Sequence, residues 1–458
     1  MSEIKVNKIS PRTACGTVTL GDSGDTFTIP SGATITNAGT ASGFGATGET
    51  SWDTTVKTTG TFTATAGVGY FLNTTGGVIT VNLPAGAAGS SVAMVDYAGT
   101  WQTSSVTVSP NGSEKIGGVA APAILSTQGQ SVTFVYIDGT QGWVNVLDST
   151  SNVTGNNFVS ATGGTIVTCG NYKTHIFTGP GTFTVGNGGN ACGSNSVEHL
   201  VVAGGGGGGN GSGSGAGGAG GYRQNYPSPV TGGTPVSATA YPITVGAAGA
   251  SPTATPFNPP GCRTGSNSIF SSVTSAGGGG GASEGAAPLV LGGDGGSGGG
   301  GAFGPGSPKS GGTGNTPVVS PPQGSNGGSG GGCYGGGGGG GASAVGANAP
   351  SGAGGAGGAG SPIADALIGP TAPSYGTPGP SSGRYFAGGG GGGGQSPGPT
   401  YGPGGTGGGG RGGYYPGSTN GTAGTTNTGG GGGGGQGGAC QVGAAGGSGI
   451  VIIRYKFQ

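Results

Sequence analysis

The sequence predicts an all-β N-terminal half followed by a C-terminal bundle of extended glycine helices clamped by β-strands. Three observations carry this expectation. Glycine makes up 127 of the 458 residues, far above the usage of about 7% in ordinary globular proteins. The long glycine runs lie beyond residue 200, whereas the residues before it are rich in Thr, Val and Ser with period-two alternation. Two apolar segments that read as strands, 197–203 and 449–457, bracket the glycine-rich region.

Residues 1–46 open the chain with a short fibre-like strand repeat, seen in TVTLGDSGDTFTIPSGATIT at 17–36. Its T-x-T phrases, separated by Gly, Asp and Pro, suit small strands stacked along an axis. Such a segment buries no core alone, so self-association or docking on another protein is expected. The stretch GTASGFGATGE (39–49) reads as a hinge.

Residues 47–150 read as one β-sandwich-like domain. Candidate strands at 61–65, 68–72, 78–82, 91–97, 104–108, 131–137 and 142–147 recur at the spacing of a sandwich or jelly roll. Trp101, Phe134, Tyr136 and Trp143 are expected in its core or at an interface, with sugar stacking the alternative for an exposed tryptophan. Residues 151–196 follow as a β connector.

Residues 197–458 form the glycine-rich domain. Grouped generously, ten runs occur at 203–209, 216–221, 277–281, 292–301, 327–341, 352–360, 388–394, 404–413, 429–438 and 443–449. A flexible linker is what composition alone suggests. The similar run lengths, the bracketing strands and the β-branched and aromatic residues in YPITVG (241–246) and SIFSSVTS (268–275) argue for folded structure. Collagen requires glycine at every third position, and no such period exists. An unbroken glycine run suits a three-fold extended helix with neighbours on every side. At about 3.1 Å per residue, seven residues span about 22 Å. Ordering each residue costs about 1–2 kcal/mol and each hydrogen bond returns about 0.5–1.5 kcal/mol, so apolar strands must supply the remainder.

Charge and chemistry narrow the functional classes. Thirteen basic and thirteen acidic residues give zero net charge, which disfavours a nucleic-acid partner. No apolar run approaches the roughly 18 residues that would suggest a membrane span, and MSEIKVNKIS carries no apolar signal core. Six cysteines (Cys15, Cys169, Cys192, Cys262, Cys333, Cys440) are scattered and read as isolated thiols, with a Cys169–Cys192 pairing across a hairpin as the alternative. With His175 and His199 the only histidines, zinc spacing is absent and no metal or cofactor is expected. His199, in VEHLVV, is expected at a solvent or interface position. Only Glu284, Asp294 and Asp365 are acidic after residue 200, too scattered for a carboxylate pair, so no enzymatic activity is expected.

The VEHLVVAGGGGGG opening, the repeated runs and the GGSGIVIIRYKFQ ending resemble the glycine-rich domains of tailed-phage fibre proteins, notably the tip adhesins of T-even-like long tail fibres. The phrase GDSGDTFTIPSGATITNAGTASGFG looks like segments of marine and cyanobacterial phage tail fibres. The first resemblance covers about 260 residues and the second about 30. This chain departs from the T-even pattern by carrying its own N-terminal fibre and β-domain. The resemblance implies stacked polyglycine II helices, with variable loops that recognise a host outer-membrane protein or polysaccharide. It further implies attachment of residues 1–46 to phage tail or baseplate proteins, a homotrimer, and a place in the virion after synthesis in the host cytoplasm.

If ten runs alternate in direction, the connections fall at two ends. The short set (210–215, 282–291, 342–351, 395–403, 439–442) is expected away from the clamping strands. The long set (222–276, 302–326, 361–387, 414–428) is expected beside them. Tyr375, Arg384, Tyr385, Tyr401, Tyr414 and Tyr415 are the candidate receptor-binding residues, because Tyr and Arg offer large contact area with hydrogen bonding. Capping of the rod ends is the alternative role, and Tyr401 is the cleanest candidate by parity. The competing functions are a baseplate or decoration component without a receptor role, and a non-phage structural or ice-binding protein.

Overall fold

The computed structural model describes residues 9, 18–19, 26, 28, 50–149, 157–190, 193–227, 233–251, 260–285, 291–304, 309–395, 400–415, 419–436 and 442–458. The fibre repeat at 17–36 lies almost wholly outside them, as do the 39–49 hinge, Cys15, Cys440 and the Cys169–Cys192 pairing. Cys169 and Cys333 are exposed free thiols. The chain divides into two compact units, Met1–Val153 and Thr154–Gln458.

In the first unit, β1 (Ser51–Lys57), β2 (Gly60–Thr63), β3 (Val68–Leu72), β4 (Ile79–Asn82), β5 (Ser91–Asp96), β6 (Val106–Ser109), β7 (Ala123–Leu125), β8 (Ser131–Asp138) and β9 (Gly142–Ser149) form two sheets. Their orders are β1-β3-β5-β8-β9 and β2-β4-β6-β7. Leu72, Ile79, Met94, Val106, Phe134 and Trp143 belong to the core between them. Successive strands alternate between the sheets and pair in parallel, β1 with β3 and β3 with β5 in one, β2 with β4 and β4 with β6 in the other. The chain therefore winds as a short coil before β8 and β9 close one sheet antiparallel. This corrects the expected jelly-roll-like course. Period-two alternation reports which face is buried, and that is the same for parallel and antiparallel partners.

Trp101 and Trp143 are completely buried, which removes both from any sugar-stacking role. Trp143 donates its indole N–H to Glu114 at 3.1 Å and meets Tyr136 edge-on at 5.5 Å. The buried Asp96 carboxylate accepts from the backbone of Thr100, Trp101 and Gly129, tying two loops to the end of β5.

In the second unit, β10 (Val159–Thr162), β11 (Thr165–Cys169), β12 (Tyr172–Phe177) and β13 (Gly181–Gly188) precede β14 (Ser196–Val202) and β15 (Tyr222–Gln224). There follow β16 (Thr234–Pro235), β17 (Ala240–Thr244), β18 (Ser268–Phe270), β19 (Val273–Ser275), β20 (Ser361–Ile363), the one-turn helix α1 (Asp365–Ile368), β21 (Arg384–Phe386) and β22 (Ile450–Lys456). The strands of the expected 151–196 connector are thus integral to this unit: β13 pairs with β17, and β12 with β22. The two principal sheets run β10-β13-β17-β18-β19 and β11-β12-β22-β14-β15.

The bracketing strands meet directly. β14 and β22 pair antiparallel from Glu198↔Arg454 to Val202↔Ile450. Their sheet is covered on both faces. Val451, Ile453 and Tyr455 join Phe183 and Phe270 on one side, while Ile450 and Ile452 join Leu367, Ile368 and Phe386 on the other. Double-sided burial explains why these strands read as unbroken apolar runs. At their outer end Arg454 pairs with Glu198 and lies 3.6 Å over the Tyr172 ring.

His199 is buried rather than solvent-facing, at 5% exposure. Its Nδ1 lies 3.1 Å from the Thr234 hydroxyl. Burial, reinforced by the Arg223 charge, pushes its pKa down to about 4.

Beyond Val202 the glycine passes bond to one another with a three-residue period. In 204–209, Gly204 and Gly207 donate to Ser266 and Arg263, Gly205 and Gly208 to Gly447 and Ala444, and Gly206 and Gly209 to Gly218 and Gly215. The carbonyls of the same pass accept from Gly278 and Gly281, from Gly249, and from Gly432 and Gly435. The descending partner numbers mark antiparallel neighbours, and the ascending ones parallel neighbours. This pass is enclosed on all sides, and all six of its glycines are buried. A Cβ on Gly206 would collide with the Gly279 carbonyl, and one on Gly208 with that of Gly433.

Two outcomes test these assignments. Gly392→Leu, whose Cβ would strike the Gly336 carbonyl, is expected to cost about 3 kcal/mol, the upper end of overpacking penalties. Gly261→Ala, with open space around it, is expected to stay within about 0.5 kcal/mol. Equal melting temperatures for the two variants would refute backbone-to-backbone packing. The second outcome concerns pH. The unfolded chain takes up a proton at His199 near pH 6.5 that the folded chain refuses until about pH 4. Stability is therefore complete above pH 6.5 and falls by about 3 kcal/mol between those limits, with buried His175 acting in the same direction. Thermal melts of His199→Gln should show a shallower acid slope than the parent.

Candidate recognition surface

Register decides which turns share an end of the glycine passes. Pass 203–209 leaves the β14–β22 sheet and pass 442–449 returns to it, which defines a clamped end and a far end. Gly209 bonds to Gly215, so the turn between them is at the far end. Gly393 bonds to Ser214, placing the end of 388–394 there too.

Three runs reverse within themselves, which changes the expected parity. The 292–301 run bends at 295–297, after which Gly299 bonds back to Gly293. The 327–341 run turns at Cys333 and Tyr334, both at positive φ, with Gly331 bonded to Gly335. The 404–413 run turns through Gly407 and Gly408, at φ 102° and 95°. Glycine serves equally well in an extended pass and in a left-handed turn, so an unbroken run hides its own reversals. The 342–351 segment is likewise no far-end loop. Ala342 packs at the clamped end, and Gly346, Ala347 and Ala349 bond as part of a further pass.

The six candidate residues consequently divide between the ends. Tyr375, Arg384 and Tyr385 lie at the clamped end. Arg384 donates to the carbonyls of Tyr375 (2.7 Å), Gly376 (3.0 Å) and Pro373 (3.3 Å). Tyr385 is buried, with its hydroxyl bonded to Ser381, and Tyr375 packs on the cluster of Phe386, Ile450 and Ile452. These side chains staple the 361–387 excursion onto the sheet.

Tyr401, Tyr414 and Tyr415 come together at the far end, which for Tyr414 and Tyr415 reverses the parity expectation. Tyr414 bridges to Gly394, and Tyr415 donates its backbone N–H to the Gly394 carbonyl. The Tyr401 and Tyr414 rings lie 5.8 Å apart, with the Arg411 guanidinium 5.1 Å from the Tyr401 ring centre. Tyr415 is 46% exposed. Two residues that sequence reasoning passed over join this end. The Phe303 and Tyr334 rings lie 4.5 Å apart at a tilt of 48°, and Tyr334 is 39% exposed. The signal for Tyr334 was present, since Cys-Tyr is the only break in the 327–341 run besides Ser329.

Polar groups fasten the surface from beneath. Glu284 accepts from the Ser212 N–H at 2.8 Å, Gln436 from Gly213 at 2.8 Å, and Asn210 from Gly443 at 3.0 Å. Glu284 is thus a structural acceptor, whereas Asp294 accepts from Thr313 and Asp365 opens α1. Among the described residues, no group of three His, Cys, Asp or Glu side chains is placed to hold a metal ion, and no helix is long and apolar enough to cross a membrane. Such a surface can offer aromatic faces and a guanidinium to a partner.

No curated protein matches the chain. A family model described as a glycine-rich domain matches residues 178–456, from the loop before β13 through the end of β22. The match takes in both clamping strands and every glycine pass between them, and on that extent the protein belongs to this glycine-rich domain family.

Proposed function

We propose that the glycine passes are polyglycine II helices and that the chain is a host-recognition adhesin of a tailed-phage fibre. The three-residue bonding period of 204–209, with neighbours on all sides, supports the helix assignment. One observation carries the functional reading: among the described residues, the exposed aromatic groups of the bundle, with Arg411 beside them, gather at the end opposite the clamping sheet. Tyr and Arg on short loops held by a rigid scaffold are the usual makings of a recognition surface. The far end is then presented to the bacterial surface. Residues 1–46 supply attachment, and self-association of the chain as a homotrimer completes the fibre.

The reading is tested with purified protein on whole cells of a panel of cyanobacterial and other bacterial strains. Binding to a susceptible strain and competition with phage adsorption are expected. Tyr401→Ala and Tyr415→Ala should each weaken binding about tenfold or more, as loss of a hot-spot aromatic does, at unchanged Tm. Arg384→Ala should lower stability by about 1–2 kcal/mol through its lost hydrogen bonds and leave binding intact. A protein that neither binds cells nor competes would be a structural part of the virion.

A further inference from the structure

A cleft of about 340 Å3 opens in the glycine-rich unit beside the edge strand β15, at the clamped end and away from the far-end aromatics. His199, Arg223, Gln224 and Ser361 give it polar walls, and Pro321 and Pro322 an apolar one. Its volume falls in the range of small-molecule sites, near the lower limit of about 300 Å3.

The hydrogen bonds around His199 suit one tautomer there. The Thr234 hydroxyl accepts from Asn225 Nδ2 at 3.2 Å and lies 3.1 Å from His199 Nδ1. With the hydroxyl hydrogen given to Nδ1, the ring proton sits on Nε2. Among the described residues nothing accepts that proton, although the side chain is 95% buried by its 5% exposure. Arg223 commits one N–H to the Thr274 carbonyl at 3.3 Å, and a guanidinium has five. Gln224 uses its side-chain oxygen on the Tyr226 N–H, so its amide hydrogens remain to be offered. The cleft is thus rich in donors and carries one positive charge. Among the described residues no carboxylate lines it.

We infer that this cleft binds a carboxylate-bearing monosaccharide. Arg223 and the His199 Nε2–H take the carboxylate, Gln224 and Ser361 meet ring hydroxyls, and the sugar face rests on Pro321 and Pro322. An amino acid of similar size is disfavoured, because its ammonium group would find no anionic partner. The inference is independent of the receptor reading, which concerns the opposite end.

The test titrates the full chain with D-glucuronate and with D-glucose, following the His199 ring Cε1–H resonance by NMR. Saturable binding of glucuronate with Kd of about 1 mM is expected, with glucose at least ten times weaker. Arg223→Gln, a half-exposed position, should keep Tm and weaken glucuronate tenfold. His199→Phe, read by saturation-transfer NMR on the sugar, should weaken it as well. No saturable response by about 10 mM, ten times that constant, would overturn the proposal. So would equal affinity for glucose, or an Arg223→Gln variant that binds as the parent does.

Discussion

Backbone hydrogen bonding between glycine passes is the interaction on which the larger unit depends. Every N–H of 204–209 finds a carbonyl on another pass, and the direction of donation rotates with a period of three. Passes can approach this closely only without side chains, since a Cβ on these glycines would enter a neighbouring carbonyl. The requirement is strict because a buried amide without a partner costs about 1–3 kcal/mol. The same bonds cannot hold the unit alone. Ordering a glycine costs at least as much as one hydrogen bond returns.

The missing free energy comes from apolar burial at one end. β22 runs between β12 and β14, so the last strand of the chain closes a sheet begun some 280 residues earlier in the sequence. Its alternate residues feed two separate cores. Val202 and Ile450 are paired where the first and last passes begin and end, so sheet register also sets the register of the bundle. The buried polar groups serve this junction. Ser268 Oγ donates to the Val202 carbonyl and Ser275 Oγ to that of Val201. His175 joins Gly163 to Tyr455 across the same core. The family match spans this closed loop, from residue 178 to residue 456.

What was legible in the sequence follows from this division. The clamping strands could be read because double-sided burial writes itself as VEHLVV and IVIIRY. Most strands of the first unit could be read from alternation, but not their parallel winding, and not β1, whose SWDTTVK shows no apolar rhythm. The location of the glycine passes was visible in composition, whereas their reversals were not. Cys333-Tyr334 looked like an interruption within one rod and is a turn between two. Gly407 and Gly408 hid a second such turn inside 404–413, and that one moved Tyr414 and Tyr415 to the wrong end. His199 was misread because a histidine in an apolar strand is polar by composition, and only the Asn225–Thr234 pair that receives it shows why it is buried.

A scaffold bonded through its backbone has a consequence for what its ends can do. In a side-chain core, each substitution in a connecting loop is felt by the residues packed beneath it. Here the groups that hold the passes together are the same at every position, and the far-end turns are fastened by side chains at a few points, Asn210, Glu284 and Gln436 among them. Away from those points, loop sequence at the far end is only weakly coupled to the stability of the rods. The clamped end has no such freedom, because Arg384, Tyr385 and Phe386 complete a core. A recognition surface that must change against a fixed framework belongs at the far end, and that is where Tyr401, Tyr414 and Tyr415 are found. On the proposed reading, display at one end and anchorage at the other are two results of building the span from glycine.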